Sequence, residues 1–189
     1  MRIEAREIID FWMNEVGPER WYKSSDALDA EIRTRFESHW QDAMAGKAQG
    51  WQCAPECTLA LLILLDQMPR NMFRGTDRAF ASDRTALKLA KKAIKAGHDL
   101  KTGLPERQFY YLPLEHSENL MDQEQGVRLI ARNLESDENL LHARVHREVI
   151  REFGRFPYRN DALGRKTTEA EAAYLADGGY QMTMRKIAA

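Results

Sequence analysis

Cysteine and proline are scarce in this chain, two and six among 189 residues. Two cysteines are too few for the disulfide framework of a small secreted domain. Cys53 and Cys57 stand four apart with Pro55 between them, a spacing that fits no zinc or redox template. No other His or Cys is close in sequence, so the pair reads as small residues at a helix start and no bound metal is expected. Long apolar runs are missing too. The longest, Leu59 to Leu65, is far too short to cross a bilayer. The opening residues Met1-Arg2-Ile3-Glu4-Ala5-Arg6-Glu7 are charged and lack the apolar stretch of a secretory signal, so a cytoplasmic location is expected. Nor is there an excess of one charge: 28 basic against 29 acidic residues leave a net charge of −1. That gives no global attraction to nucleic acid or to an anionic membrane. No glycine-rich phosphate loop, dinucleotide fingerprint or nucleophile elbow occurs, and no cofactor is expected. Finally, no four residues alternate convincingly between apolar and polar, which leaves no strand to predict.

What is present is helical periodicity. The first helix carries Ile8, Phe11 and Trp12 and stops near Gly17-Pro18. The second follows the cap-type residues Ser24-Ser25-Asp26, with a stripe of Leu28, Ile32, Phe36 and Trp40. A third starts at Pro55 and is apolar all round from Leu59 to Leu65, which makes it central and buried until Pro69 kinks or breaks it. A fourth is expected over Asp77–Ala96, lysine-rich at its end and stopped by Gly97. A short aromatic helix follows at Glu106–Leu112, then helices over Ser117–Asn133, with Ser117 as cap, and Asp137–Phe153. An irregular arm runs to Lys166, and a capping box of Thr168 and Glu171 opens a last helix through Leu175. Tyr180 to Ala189 reads as a loosely held tail. The expectation is one all-α domain over residues 1–176, of roughly seven or eight helices joined by short turns, with a tail at 177–189. Stacked helix pairs and an irregular orthogonal bundle both fit.

Three segments depart from ordinary helical texture by mixing proline, charge and aromatics. They are Leu65 to Asp83, Tyr111 to Glu118 and Phe153 to Asn160. Charged groups set against buried helices need partners, so such places are either structural knots or sites. Asp83 falls on the stripe of Phe80, Leu87 and Ile94 and wants a cation, for which Arg70, Arg74, Arg155, Arg159 and Arg165 are available. His142 and His146 share one helix face at i,i+4, but with Arg144 and no carboxylate between them a metal role is not favoured. His146 lies on the face of Val149, Ile150 and Phe153, as a satisfied core histidine or as an acid–base residue. His116-Ser117-Glu118 has the residue types of nucleophilic catalysis, but triads converge from separate elements. The arginines of the arm suit carboxylate or phosphate, or else staple the arm to Asp66, Asp83 and Glu118.

Together these segments resemble the DUF924 family of bacteria and some eukaryotes. The carrying residues are Leu65-Asp66-Gln67, Pro69-Arg70-Asn71, Phe73-Arg74-Gly75, Ala79-Phe80-Ala81 and Asp83. Then come Tyr111-Leu112-Pro113-Leu114, His116-Ser117-Glu118, His146-Arg147, Phe153-Gly154-Arg155-Phe156-Pro157, Arg159-Asn160 and Leu163-Gly164-Arg165. Phe11-Trp12 and Trp21-Tyr22 also fit. The chain departs from the pattern at Met68 and Tyr158, where the family often has Phe and His. The resemblance implies a TPR-like, superhelical all-α fold and brings no established activity.

The expectation for function is binding of a small anionic molecule or a peptide carboxylate. The lining would come from Arg70, Asn71, Arg74, Asp83, Tyr111, His116, Glu118, His146, Arg155, Arg159 and Arg165. The rivals are an acid–base enzyme using His116 or His146 with Asp83 or Glu118, and a TPR-like protein–protein interaction module.

Overall fold

The computed structural model describes residues 3–23 and 25–188. Met1, Arg2, Ala189 and Ser24, the last named above as a cap type, lie outside the described residues. Among the described residues the chain is helical with no strand. The helices gather into two compact units, Met1–Pro113 and Leu114–Ala189.

In the first unit α1 (Ile3–Asp10) runs into a π turn (Phe11–Val16). Helix α2 (Asp26–Met44) follows, with Ser25 as its cap, its hydroxyl accepting from the Leu28 amide at 3.4 Å. Leu28, Ile32, Phe36 and Trp40 are all buried. Helix α3 (Pro55–Leu62) starts on proline, whose missing N–H costs nothing in a first turn. It continues as a π turn (Ile63–Gln67) into α4 (Met68–Met72), and every residue from Cys57 to Pro69 is buried. A helix apolar on all sides is stable only when other elements surround it. Here α1, the aromatic turn at Glu106–Tyr110 and α5 (Asp83–Lys95) pack against it.

Pro69 does not end this helical run, because the backbone adjusts on both sides. In the π turn the Met68 amide reaches back to the Ile63 carbonyl, five residues away. Proline cannot supply the N–H that an α-helix would direct at the Leu65 carbonyl. The Ser82 hydroxyl donates to that carbonyl instead, at 2.5 Å, and itself accepts from Trp40 Nε1 at 3.0 Å. This explains a difference from the expected helix over Asp77–Ala96. A 3₁₀ turn (Asp77–Phe80) and α5 stand in its place, interrupted at Ala81-Ser82, where Ser82 turns inward. Asp83 is therefore the first residue of α5, where a carboxylate suits the helix dipole.

The second unit begins within the short helix α6 (Leu112–Glu115). Helix α7 (Leu120–Asn133) starts three residues later than expected. Asn119, not Ser117, is its cap and accepts from the Met121 amide at 2.9 Å. Ser117 instead donates to Asp122 at 2.9 Å. Helix α8 (Asp137–Phe153) packs along α7 and is capped by Ser136, accepting from the Asn139 amide at 3.2 Å. The capping box of α9 (Glu169–Ala176) forms as expected, with Glu171 N to Thr168 Oγ1 at 3.2 Å and Thr168 N to Glu171 Oε2 at 2.8 Å.

The expected loose tail is a helix, α10 (Tyr180–Ala188), packed on α8. Gly178 and Gly179, at φ of 104° and 53°, make the left-handed turn that folds it back. Thr183 anchors it, buried and donating to Tyr174 Oη at 3.2 Å.

Candidate functional site

In the first unit the candidate residues are committed to one another. Arg70 donates to Asp83 Oδ2 at 3.1 Å, lies 3.0 Å from Oδ1, and also donates to the Asp66 carbonyl. Asn71 and Arg74 converge on Asp29 of α2, Asn71 Nδ2 at 2.8 Å and the Arg74 fork at 2.7 and 3.1 Å. Hydrogen bonding to Asp29 raises the Arg74 pKa despite partial burial. These residues and Arg33 line an open cleft of about 340 Å³. Asp29 was not singled out by the sequence, since its side chain sits between two stripe residues with no motif around it. Tyr111 donates to Asp99 at 2.8 Å within this unit.

In the second unit two of the arm's arginines are held by carboxylates. Arg165 forks onto Glu118 at 2.8 and 2.8 Å, and the Phe156 amide adds 2.9 Å. Burial alone would raise the Glu118 carboxyl, but these donors together hold it below its ordinary value. Arg155 forks onto Glu171 at 2.5 and 2.7 Å, and Asn160 Nδ2 reaches the same carboxylate at 3.3 Å. Arg159 donates to the His116 carbonyl at 3.2 Å and lies 4.4 Å above the Phe156 ring.

Glu171 allows a test of this stapling by pH. The Arg155 fork, then the Thr168 amide, hold its carboxyl down to about 2, against an ordinary 4.5. A depressed carboxyl contributes stability that is whole above its unfolded pKa and lost as pH falls toward the folded one. The melting temperature of the wild type should therefore decline between about pH 4.5 and pH 2. Glu171→Gln should melt lower at pH 7 and lose less across that window. Thermal melts followed by circular dichroism decide it, and equal pH slopes would refute the assignment.

A different chemistry gathers at His146. Its Nδ1 lies 3.3 Å from Glu115 Oε2, with side-chain exposures of 17% for the histidine and 4% for the glutamate. Glu115 is held in a knotted turn, because Gln123 Nε2 donates to the carbonyls of Glu115 and Ser117 at 2.6 and 2.7 Å. The His116 ring stands 6.1 Å from His146 at 86°, and the Phe156 ring 5.6 Å at 84°. One turn earlier on α8, His142 Nδ1 is 2.5 Å from Tyr180 Oη, and the two rings stack at 16°. Tyr180 also packs on His146 at 5.2 Å and on Tyr158 at 6.4 Å. Burial, then the neighbouring His146, lowers the His142 pKa, and burial raises that of Tyr180. The 2.5 Å contact joins the phenol hydroxyl to one ring nitrogen, and which of the two donates follows from the imidazole tautomer.

Of the residues named from sequence, the second unit brings His116 and His146 together and ties Glu118 to Arg165. Glu115 and Tyr180 were missed, and His142 was weighed only as a metal ligand. The i,i+4 repeat of His142 and His146 was the available signal, because it sets both rings on one side of α8.

The match to known proteins covers nearly all of this geometry. Residues 8–179 match the family described as "Bacterial protein of unknown function (DUF924)". The chain belongs to the DUF924 family. It is also similar to a solved structure of a protein of unknown function from Agrobacterium tumefaciens. The two are 39% identical with a TM-score of 0.87, over 92% of this chain and 97% of that one. No curated protein matches. The DUF924 match ends at Gly179, so Tyr180 and the rest of α10 lie just beyond it. Among the described residues no helix is long and apolar enough to cross a membrane.

Proposed function

We propose that this DUF924 protein acts on a small acidic molecule by acid–base chemistry at the histidine cluster of its second unit. His146 exchanges the proton, Glu115 orients it, and His116 stands beside it. The observation that carries this reading is the unequal burial of the Glu115–His146 pair. The carboxylate is almost wholly enclosed while the imidazole keeps 17% of its surface exposed. A buried acid behind a reachable base is the arrangement that general acid–base catalysis requires. It differs from the pairing expected from sequence, in which Asp83 or Glu118 backed a histidine, since both are held by arginines. The same engagement of Arg155 and Arg165 moves anion recognition from the arm's guanidinium groups toward protonatable imidazoles. Cytoplasmic residence is part of this reading, and the two free thiols favour it.

The test uses acetate, phosphate and citrate as probes. At least one is expected to raise the melting temperature and to move the His116 and His146 ring resonances. His146→Ala should abolish both responses, and also any hydrolysis of 4-nitrophenyl acetate. If no probe moves those resonances, or if His146→Ala responds like the wild type, the reading fails.

A further inference from the structure

We infer that Tyr180, supplied by α10 beyond the family match, is a positioning residue of this site: its hydroxyl donates to Nδ1 of His142 and so sets the Nε2–H tautomer of that ring beside His146. The inference rests on the acid–base reading above for its functional meaning, but not for its geometry. His142 and His146 lie one turn apart on α8, and Tyr180 touches both rings. Tyr180 Oη lies 2.5 Å from Nδ1. With the phenol as donor in this contact, the ring proton of His142 sits on Nε2. The stacked ring, at 16°, holds the imidazole plane.

The other groups that act on His142 are His146 and Glu138 on its own helix and Glu115 on α6. His146 opposes a second positive charge, and the two carboxylates favour one. Burial is the largest of these influences, and the His142 pKa lies below its ordinary value. The cluster thereby carries two imidazoles with different tasks. One has its Nδ1 3.3 Å from the Glu115 carboxyl group. The other is locked by a phenol, with an N–H whose tautomer is set. Such a pair complements a ligand that presents an acceptor oxygen next to the atom that gains or loses the proton, as a carboxylic or phosphoric acid derivative does. An N–H fixed before the ligand arrives loses no freedom on binding.

Tyr180→Phe removes the hydroxyl and keeps the ring. In the full chain it should shift the His142 ¹⁵N resonances away from the Nε2–H pattern and raise its titration midpoint by roughly 0.5–1 pH unit, since a bond to the neutral form is lost. Phosphate affinity should fall by about 3–10-fold, the worth of one hydrogen bond. Thr183→Val is the companion variant. It weakens the docking of α10 through Tyr174 without touching His142. If Tyr180 only glues α10 to α8, both variants will lower the melting temperature and neither will change the His142 tautomer. That outcome overturns the inference. So does an unchanged His142 titration in Tyr180→Phe. The His142 measurements need no ligand, so they stand or fall apart from the probe binding on which the acid–base reading depends.

Discussion

Leu62→Ala is expected to destabilise the protein by about 2–5 kcal/mol, as deletion of a buried leucine side chain does. Leu62 is 0% exposed and belongs to the stretch of α3 that has no solvent face. Packing from α1, α5 and the aromatic turn at Glu106–Tyr110 surrounds this helix. The cost therefore includes the cavity as well as the lost transfer free energy. Urea unfolding against Leu100→Ala supplies the comparison, because Leu100 is 61% exposed and its truncation should change stability by less than about 0.5 kcal/mol. Equal costs at the two positions would contradict the central placement of α3.

That placement was readable from sequence, and so were the stripe of α2 and the capping box of α9. Each follows from residues a few positions apart, and local periodicity or local hydrogen bonding fixes such patterns. The failures share one cause as well. A helical wheel says which face is buried but not what lies opposite. It carried Phe80 and Asp83 on one continuous helix, whereas Ser82 leaves the helix to satisfy the carbonyl of Leu65, seventeen positions earlier, which Pro69 leaves orphaned. It offered Asp66, Asp83 and Glu118 as staples for the arm's arginines; Arg165 does meet Glu118, but Arg155 meets Glu171, which the wheel did not place opposite it. The tail was misread because Gly178-Gly179 signals a stop, while the same glycines allow the reversal that returns α10 to α8. With α10 read as loose, Tyr180 had no place near His142. The candidate site was therefore half legible: the histidines stood out by type and spacing, and their partners Glu115 and Tyr180 did not.

Phe156→Ala should have the largest effect in the second unit, about 3–5 kcal/mol, the range for a buried phenylalanine. Phe156 is 0% exposed and packs with Val149, Ile150 and Tyr174, the core beneath the arm. It also links that core to the histidine cluster. Its amide donates to Glu118, its ring carries the Arg159 guanidinium at 4.4 Å, and it meets the His146 ring in a T-shaped contact. Loss of the ring should therefore loosen the arm and the wall of the cluster together, which makes the alanine variant a poor guide to function. Phe156→Leu separates the two effects. Leucine restores most of the volume, so the stability cost should fall to about 1.5 kcal/mol or less. The aromatic ring under Arg159 and beside His146 stays absent. If the ring matters only as core, Phe156→Leu should bind acetate, phosphate and citrate as the wild type does. If the ring also orients His146, the leucine variant should remain folded yet lose part of the probe-induced shift in melting temperature. The orientation of the His146 ring would then depend on the aromatic ring of Phe156 and not on its volume alone.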